Sequence, residues 1–125
     1  MQSLGKVLVT GGAGFIGTEL VEQLYIKGYE VTILDKQDKP MGLDHVKYIK
    51  GDLSSPARCV MACAGQDYVI HLAAKARIPE SFINPDEYFD SNVVGSRNIL
   101  TAASAVGVRK FVYAGSSSVY GNNTA

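Results

Sequence analysis

Val7-Leu8-Val9-Thr10-Gly11-Gly12-Ala13-Gly14-Phe15-Ile16-Gly17 decides the fold. Three apolar β-formers run into a glycine cluster, and an amphipathic segment follows as far as Gly28. The pattern reads as strand, tight turn, helix. Gly12, Gly14 and Gly17 fit G-x-G-x-x-G, and Gly11, Gly14 and Gly17 fit a second spacing, T-G-x-x-G-x-x-G. In either register the early glycine lets the chain reverse and the middle one lets a ligand approach the backbone. The last lets helix and strand pack closely. The unpaired N–H groups at the start of the helix then favour an anion. Glu30-Val31-Thr32-Ile33-Leu34 reads as a second strand and ends in Asp35, eighteen residues after Gly17. That is close to the ~20 expected of a carboxylate that takes the ribose hydroxyls of a dinucleotide. Strand, glycine turn and downstream acid together point to dinucleotide binding rather than to a bare βα turn.

Working outward, the first strand is Lys6 to Thr10 and the first helix runs from about Phe15 to Lys27, with Ile16, Leu20, Val21 and Leu24 as its apolar face. Gly28 stops it. Lys36 to Asp44 reads as a loop. Lys36 and Lys39 leave room there for a 2′-phosphate, but Asp35 would repel one, so NAD is expected over NADP and the lysines are read as solvated. Val46 to Lys50 is a third strand leading to Gly51-Asp52-Leu53. Asp52 is either an acceptor for an adenine amino group or a turn residue, and Ser54 or Ser55 caps the next helix, from Pro56 to about Ala64. Tyr68 to Ala74 is a fourth strand and its exit, where Ala73 and Ala74 permit close approach of a flat ligand or simply pack tightly. His71, alone in an apolar run, reads as a hydrogen-bonded packing residue. A long helix is expected from about Asp86 to Val106, with Ile99, Ala102, Ala103 and Val106 on one face and Asn92 and Asn98 exposed or bonded to nearby backbone. Gly107 closes it. Strand five is Lys110 to Ala114, leading into Gly115-Ser116-Ser117-Ser118-Val119-Tyr120-Gly121.

The alternation of strands and helices gives an α/β class, a Rossmann-like doubly wound parallel sheet in the order 3-2-1-4-5. Ligand is expected across the carboxyl edges of strands one and four. The 125 residues suit one domain, 1–125. Lys plus Arg and Asp plus Glu are 12 each, so charge gives no case for nucleic acid or an anionic membrane. No apolar run approaches the ~18 residues of a membrane span, and no signal-peptide h-region is visible, so a cytoplasmic location is the default expectation. Cys59 and Cys63 have no third ligand nearby and read as buried thiols, with no metal expected.

These motifs together resemble the extended short-chain dehydrogenase/reductases, specifically the NAD-dependent sugar-nucleotide epimerase/dehydratase family. The likeness rests on Thr10 to Gly17, Asp35, Gly51-Asp52-Leu53, His71-Leu72-Ala73-Ala74, Asn92-Val93-Val94-Gly95 with Asn98, and Tyr113 to Gly121. It implies cofactor contacts at Gly11, Gly14, Phe15, Ile16, Gly17, Asp35, Asp52, Leu53, Leu72, Ala73, Ala74 and Asn92. It also implies a catalytic Ser116 bonding the sugar oxygen that is oxidised, and substrate contacts at Lys75, Ser117 and Ser118. Ser116-Ser117-Ser118 lacks the carboxylate pair of the 4,6-dehydratases, which favours the UDP-sugar 4-epimerase branch and transient hydride transfer at C4. The family base, a Tyr with Lys four residues on, has no counterpart here, because none of the seven tyrosines carries Lys at that spacing. The sequence ends nine residues after Ser116. The expectation is therefore a truncated NAD(H)-binding part of a nucleotide-sugar epimerase, without the Tyr/Lys helix and substrate domain and inactive alone. The rival readings are a non-catalytic dinucleotide-binding module that regulates or complements a partner chain, and a relic of low affinity. An uncovered strand five predicts homo-oligomers through the exposed surface.

Overall fold

The computed structural model describes residues 2–73 and 82–114. In chain order it shows β1 (Lys6–Thr10), α1 (Phe15–Lys27), β2 (Glu30–Asp35), β3 (Lys47–Lys50), α2 (Pro56–Cys63), β4 (Tyr68–His71), α3 (Pro85–Phe89), a wide π-helical turn (Asp90–Val94), α4 (Gly95–Val106) and β5 (Lys110–Tyr113). The strands form one sheet in the order β3-β2-β1-β4-β5, and every pairing is parallel. This is the expected order. β1 is central because Val7-Leu8-Val9-Thr10 is buried on both faces, as a parallel sheet with helices on each side requires. Alternation along the strands divides the core. Leu8, Leu34 and Val69 meet Cys59, Cys63, Ile99 and Ala103 from α2 and α4. Val7, Val9, Val31 and Ile33 meet Val21 of α1 on the other side. The connections after β1 and after β3 leave in opposite directions across the sheet, so a common handedness sends their helices to opposite faces. The crevice between β1 and β4 results.

α1 ends as expected, at Gly28 with φ +104°, whose N–H reaches the carbonyls of Leu24 and Tyr25. Its buried face differs from the expected one. Gly17 and Val21 are buried, Leu20 and Leu24 half-buried, and Ile16 is 71% exposed. With no side chain at Gly17, the helix seats against the backbone of Gly11 and Gly12, which centres the contact on 17 and 21 and turns Ile16 outward. α2 has Pro56 in its first turn and Ser55 as its cap, the Ser55 Oγ accepting from Arg58 N at 3.3 Å. Such caps are worth about 1 kcal/mol. Cys59 and Cys63 are buried and free. Burial pushes both thiols up to about 11, the reverse of what metal or redox thiols need. Among the described residues no cluster of three metal-ligating side chains occurs, and no helix is long and apolar enough to cross a membrane.

The segment read as one long helix is continuous but not uniform. The Gly95 N–H bonds the Asp90 carbonyl five residues back, so one extra residue is accommodated in that turn. The local crowding suggests the reason: a Cβ on Gly95 would lie 2.9 Å from the Cβ of Leu53, so the register that brings Gly95 over Leu53 lets the helix close on the β3 exit. Asn98 then donates to the Leu53 carbonyl at 2.8 Å, which fulfils the backbone-bonding reading of that residue. Ile99, Ala102 and Ala103 are buried as expected, but Val106 in the last turn is exposed. β5 is an edge of the described sheet, with Val112 and Tyr113 exposed.

Candidate functional site

β1, β2, β3 and β4 all end on one side of the sheet, and the loops that leave them form an open cleft of about 200 Å³. Its first wall is the glycine turn. Gly11 has φ +74°, and its N–H bonds the Leu34 carbonyl at 2.9 Å, which ties the turn to β2. A Cβ there would stand 2.8 Å from the Ala73 nitrogen, so only glycine allows this approach of β1 to the β4 exit. Gly14 caps α1 with extended backbone and lines the cleft, and no side chain caps the first N–H groups of the helix. Its neighbours are sparse, the Gly11 carbonyl at 3.3 Å from a notional Cβ being the nearest atom. Gly17 lies beneath, in backbone contact. Gly11 and Gly14 line the cleft, whereas Gly12 packs on Ile33, whose atoms would stand 2.8 Å from a Cβ there, so both glycine spacings have a use and the Gly11, Gly14, Gly17 one puts both its early members at the cleft.

Asp35 forms the second wall. It is 7% exposed, its Oδ2 accepts from Ala13 N at 3.1 Å and its Oδ1 from Gln37 N at 3.0 Å. The carboxylate thus staples the glycine turn to the β2 exit while each oxygen keeps acceptor capacity toward the cleft. The Tyr48 hydroxyl donates to the Gln37 carbonyl at 2.7 Å and steadies that exit. Burial, then Asp35 and Asp38, push this phenol up to about 12, so it remains a donor. Asp52 and Leu53 form the floor after β3. The Asp52 Oδ1 accepts from Ser54 N at 2.9 Å, so Asp52 is a turn residue, and it also lines the cleft.

Leu72 and Ala73 close the cleft from β4, and Ser91 of the wide turn from above. Behind them His71 is 2% exposed, with Nδ1 2.6 Å from Thr10 Oγ1 and Nε2 2.8 Å from Ser96 Oγ. Burial pushes it down to about 4, so the ring is neutral and serves as the hydrogen-bonded packing residue expected.

Seven expected contacts therefore meet in one place: Gly11, Gly14, Asp35, Asp52, Leu53, Leu72 and Ala73. Gly17 supports them without lining the cleft. Phe15, 96% exposed, and Ile16 turn their side chains onto a separate apolar surface along α1, so only their backbone N–H groups can serve an anion. The wide turn offers Ser91 to the cleft, whereas Asn92 is half-buried beside it and its carbonyl accepts from the Ser96 hydroxyl at 2.7 Å. Ala74, Lys75, Ser116, Ser117 and Ser118 lie outside the described residues. The lining also holds Leu34, Lys36, Gln37, Gly51 and Ser91, none of them assigned as a cofactor contact from the sequence. The first four are chain neighbours of Asp35 and Asp52 and follow from strand ends; Ser91 has no sequence signal. Lys36 borders the cleft and is exposed, in keeping with the solvated reading, while Lys39 pairs with Asp44 at 3.3 Å in the outer loop.

The sequence matches the family model described as NAD dependent epimerase/dehydratase family over residues 7–125. It is 36% identical over 129 residues to UDP-glucose 4-epimerase of Klebsiella pneumoniae, covering 94% of this chain and 93% of that sequence. It is 38% identical over 122 residues to 3-beta-hydroxysteroid dehydrogenase of Mycolicibacterium neoaurum, covering 93% of this chain and 33% of that one. Among solved structures, MoeE5 in complex with UDP-glucose and NAD superposes with a TM-score of 0.88 at 38% identity, covering 97% of this chain and 40% of that one. The chain thus spans about a third of the dehydrogenase and two-fifths of the solved structure. The family match over nearly the whole chain agrees with the glycine turn, the acid after β2 and the strand order: the chain belongs to the NAD dependent epimerase/dehydratase family.

Proposed function

We propose that these 125 residues are the NAD(H)-binding part of a nucleotide-sugar epimerase of the UDP-sugar 4-epimerase type. The observation that carries this is the convergence of Gly11, Gly14, Asp35, Asp52 and Ala73 on one cleft. The residues fit the cofactor: the uncapped start of α1 suits a pyrophosphate, the buried Asp35 carboxylate suits a ribose diol, and Asp52 suits an adenine amino group. When bound, NAD supplies reversible hydride acceptance, here from C4 of the sugar. The chain's own residues orient it: the helix start fixes the phosphates, Asp35 fixes one ribose, and Leu72 and Ala73 limit its depth. Ser116 is proposed to hydrogen-bond the 4-oxygen, with Lys75, Ser117 and Ser118 on the sugar nucleotide. No Tyr with Lys four residues later is present in this sequence, so the 125-residue polypeptide is proposed to bind without turnover.

The test is a fluorescence titration with NADH, free of tryptophan background because the chain has none. Saturable NADH binding with weaker NADPH binding is expected. Asp35→Asn is expected to weaken NADH about tenfold or more, because a charge-assisted bond is lost and one staple to Ala13 or Gln37 loses its acceptor. The same variant narrows the gap to NADPH. Equal affinity of wild type and variant would remove Asp35 from the site. A cytoplasmic location and self-association remain proposals. The second is supported by exposed Val112 and Tyr113 on the β5 edge, and sedimentation is expected to show concentration-dependent dimers. A monomer at every concentration would overturn it.

A further inference from the structure

We propose that Thr10, His71 and Ser96 form a directional hydrogen-bonded strap that sets the spacing of three cleft walls, making His71 and Ser96 positioning residues for the ligand. The direction follows from counting protons. Ser96 has one hydroxyl proton and donates it to the Asn92 carbonyl, at 2.7 Å. Its oxygen therefore accepts from His71 at 2.8 Å, so Nε2 carries the ring proton. In a neutral ring Nδ1 is then bare, and the Thr10 hydroxyl donates to it at 2.6 Å. Thr10 Oγ1 accepts from Ala73 N at 3.2 Å and from Leu72 N at 3.1 Å, an N–H it shares with the Thr10 carbonyl, also at 3.1 Å. Every capacity of Thr10 is used, and one arrangement of protons satisfies the whole chain. Reversing it would take the Ser96 proton away from the Asn92 carbonyl and bring an Nδ1–H onto an oxygen that two backbone amides already face.

What the strap joins makes it more than a satisfied core histidine. Thr10 precedes Gly11, the Leu72 and Ala73 amides belong to lining residues, and Asn92 follows Ser91, which lines the cleft from the wide turn. Gly11 and Ala73 are already so close that no Cβ fits between them. A small shift of His71 therefore moves the glycine turn against the β4 exit. On the other side the Ser96 hydroxyl fixes the wide turn, a segment whose looser hydrogen bonding leaves its height over the cleft open. The proposal rests on the NAD(H) reading for the identity of the ligand, not for the strap.

The experiment is long-range ¹H–¹⁵N spectroscopy of the histidine rings, with NADH titration of wild type, Ser96→Ala and Ser96→Thr. For the wild type at pH 7 a neutral His71 in the Nε2–H form is expected, a measurement that needs no variant. Ser96→Ala is expected to shift the backbone amides of Gly11, Ala73 and Ser91 and to weaken NADH about fivefold to tenfold, the scale of one lost hydrogen bond. Ser96→Thr restores both, since its hydroxyl can make the same bond to the Asn92 carbonyl. Three results overturn the strap. One is an Nδ1–H or charged ring in the wild type. Another is a Ser96→Ala variant that loses stability while its NADH affinity and the Gly11 and Ser91 amides stay unchanged. The third is failure of Ser96→Thr to restore a folded variant. If the wild type binds no NADH, the proposed function fails, and the ring tautomer with the amide shifts decides the strap alone.

Discussion

Gly17→Ala is expected to lower stability by about 3 kcal/mol or more and to abolish NADH binding. The new methyl would fall well inside contact distance of the Gly11 carbonyl oxygen and 2.8 Å from the Gly12 Cα. Both obstacles are backbone, and neither can yield cheaply. The Gly11 N–H is bonded to Leu34 and its carbonyl accepts from Gly14 N at 3.1 Å, so relief means lifting α1 off β1 or opening the turn. Either removes the helix start from the cleft. Gly14→Ala is the matched control. Its φ of −76° suits any residue, and the one close atom, the Gly11 carbonyl oxygen 3.3 Å from a notional Cβ, has to give by only a few tenths of an ångström, so the loss of stability should be well below that of Gly17→Ala. The methyl nevertheless stands where a pyrophosphate must approach, so NADH binding weakens sharply. Urea unfolding and NADH titration of the two variants separate packing from ligand approach. Equal loss of stability in both would show that Gly14 is also a packing position. Retained stability in Gly17→Ala would show that α1 is not seated on Gly11 and Gly12.

The same turn shows why the sequence was so legible here. Between Lys6 and Asp35 the hydrophobic period changes from strand to helix and back, and each change is marked by glycine, so the boundaries of β1, α1 and β2 follow within a residue. Where no such punctuation exists, reading fails in identifiable ways. Ile16 has the helical spacing of a core residue and is exposed, because a side chain missing at Gly17 tilts the contact face, a tertiary effect that periodicity does not carry. The wide turn at Asp90–Val94 leaves no breaker residue, since the extra residue is set by how Gly95 meets Leu53, distant in sequence. Ser91 was invisible for that reason. The backbone-bonding role of Asn98 was readable, but only the fold reveals that its carbonyl partner belongs to a lining residue, Leu53. Lys36 and Lys39 are both exposed, and only the fold shows that Lys36, leaving the strand next to Asp35, borders the cleft while Lys39 pairs with Asp44.

Acidification from pH 6.5 to 4 is expected to lower folding stability by about 3 kcal/mol through His71 alone. Burial pushes the folded-state value down to about 4 from an ordinary 6.5, so in that window the unfolded chain binds a proton that the folded chain refuses. A depressed value gives stability that is fully present above 6.5 and drains away as pH falls toward 4. Below that, both states are protonated and the loss is complete. The cause is geometric. The ring is 2% exposed, packed against Phe111 and Tyr113, and hydrogen-bonded to Thr10 and Ser96, neither of which offers a compensating negative charge. At the other end the sign reverses. Cys59 and Cys63 are raised to about 11 by burial, so stability falls as pH climbs above 9 and the unfolded thiols ionise first. Urea midpoints at half-unit steps should therefore trace a plateau between about 6.5 and 9 with falling shoulders. A domain of this size holds only about 5–15 kcal/mol, so the acid shoulder should be steep enough to unfold a weakened variant near pH 5. His45 is the second of two histidines, and persistence of the shoulder in His45→Gln shows that it does not come from that ring. A midpoint that stays flat from pH 6.5 to 4.5 would mean that the ring takes up its proton in the folded state, and that it is not enclosed between Thr10 and Ser96 as described.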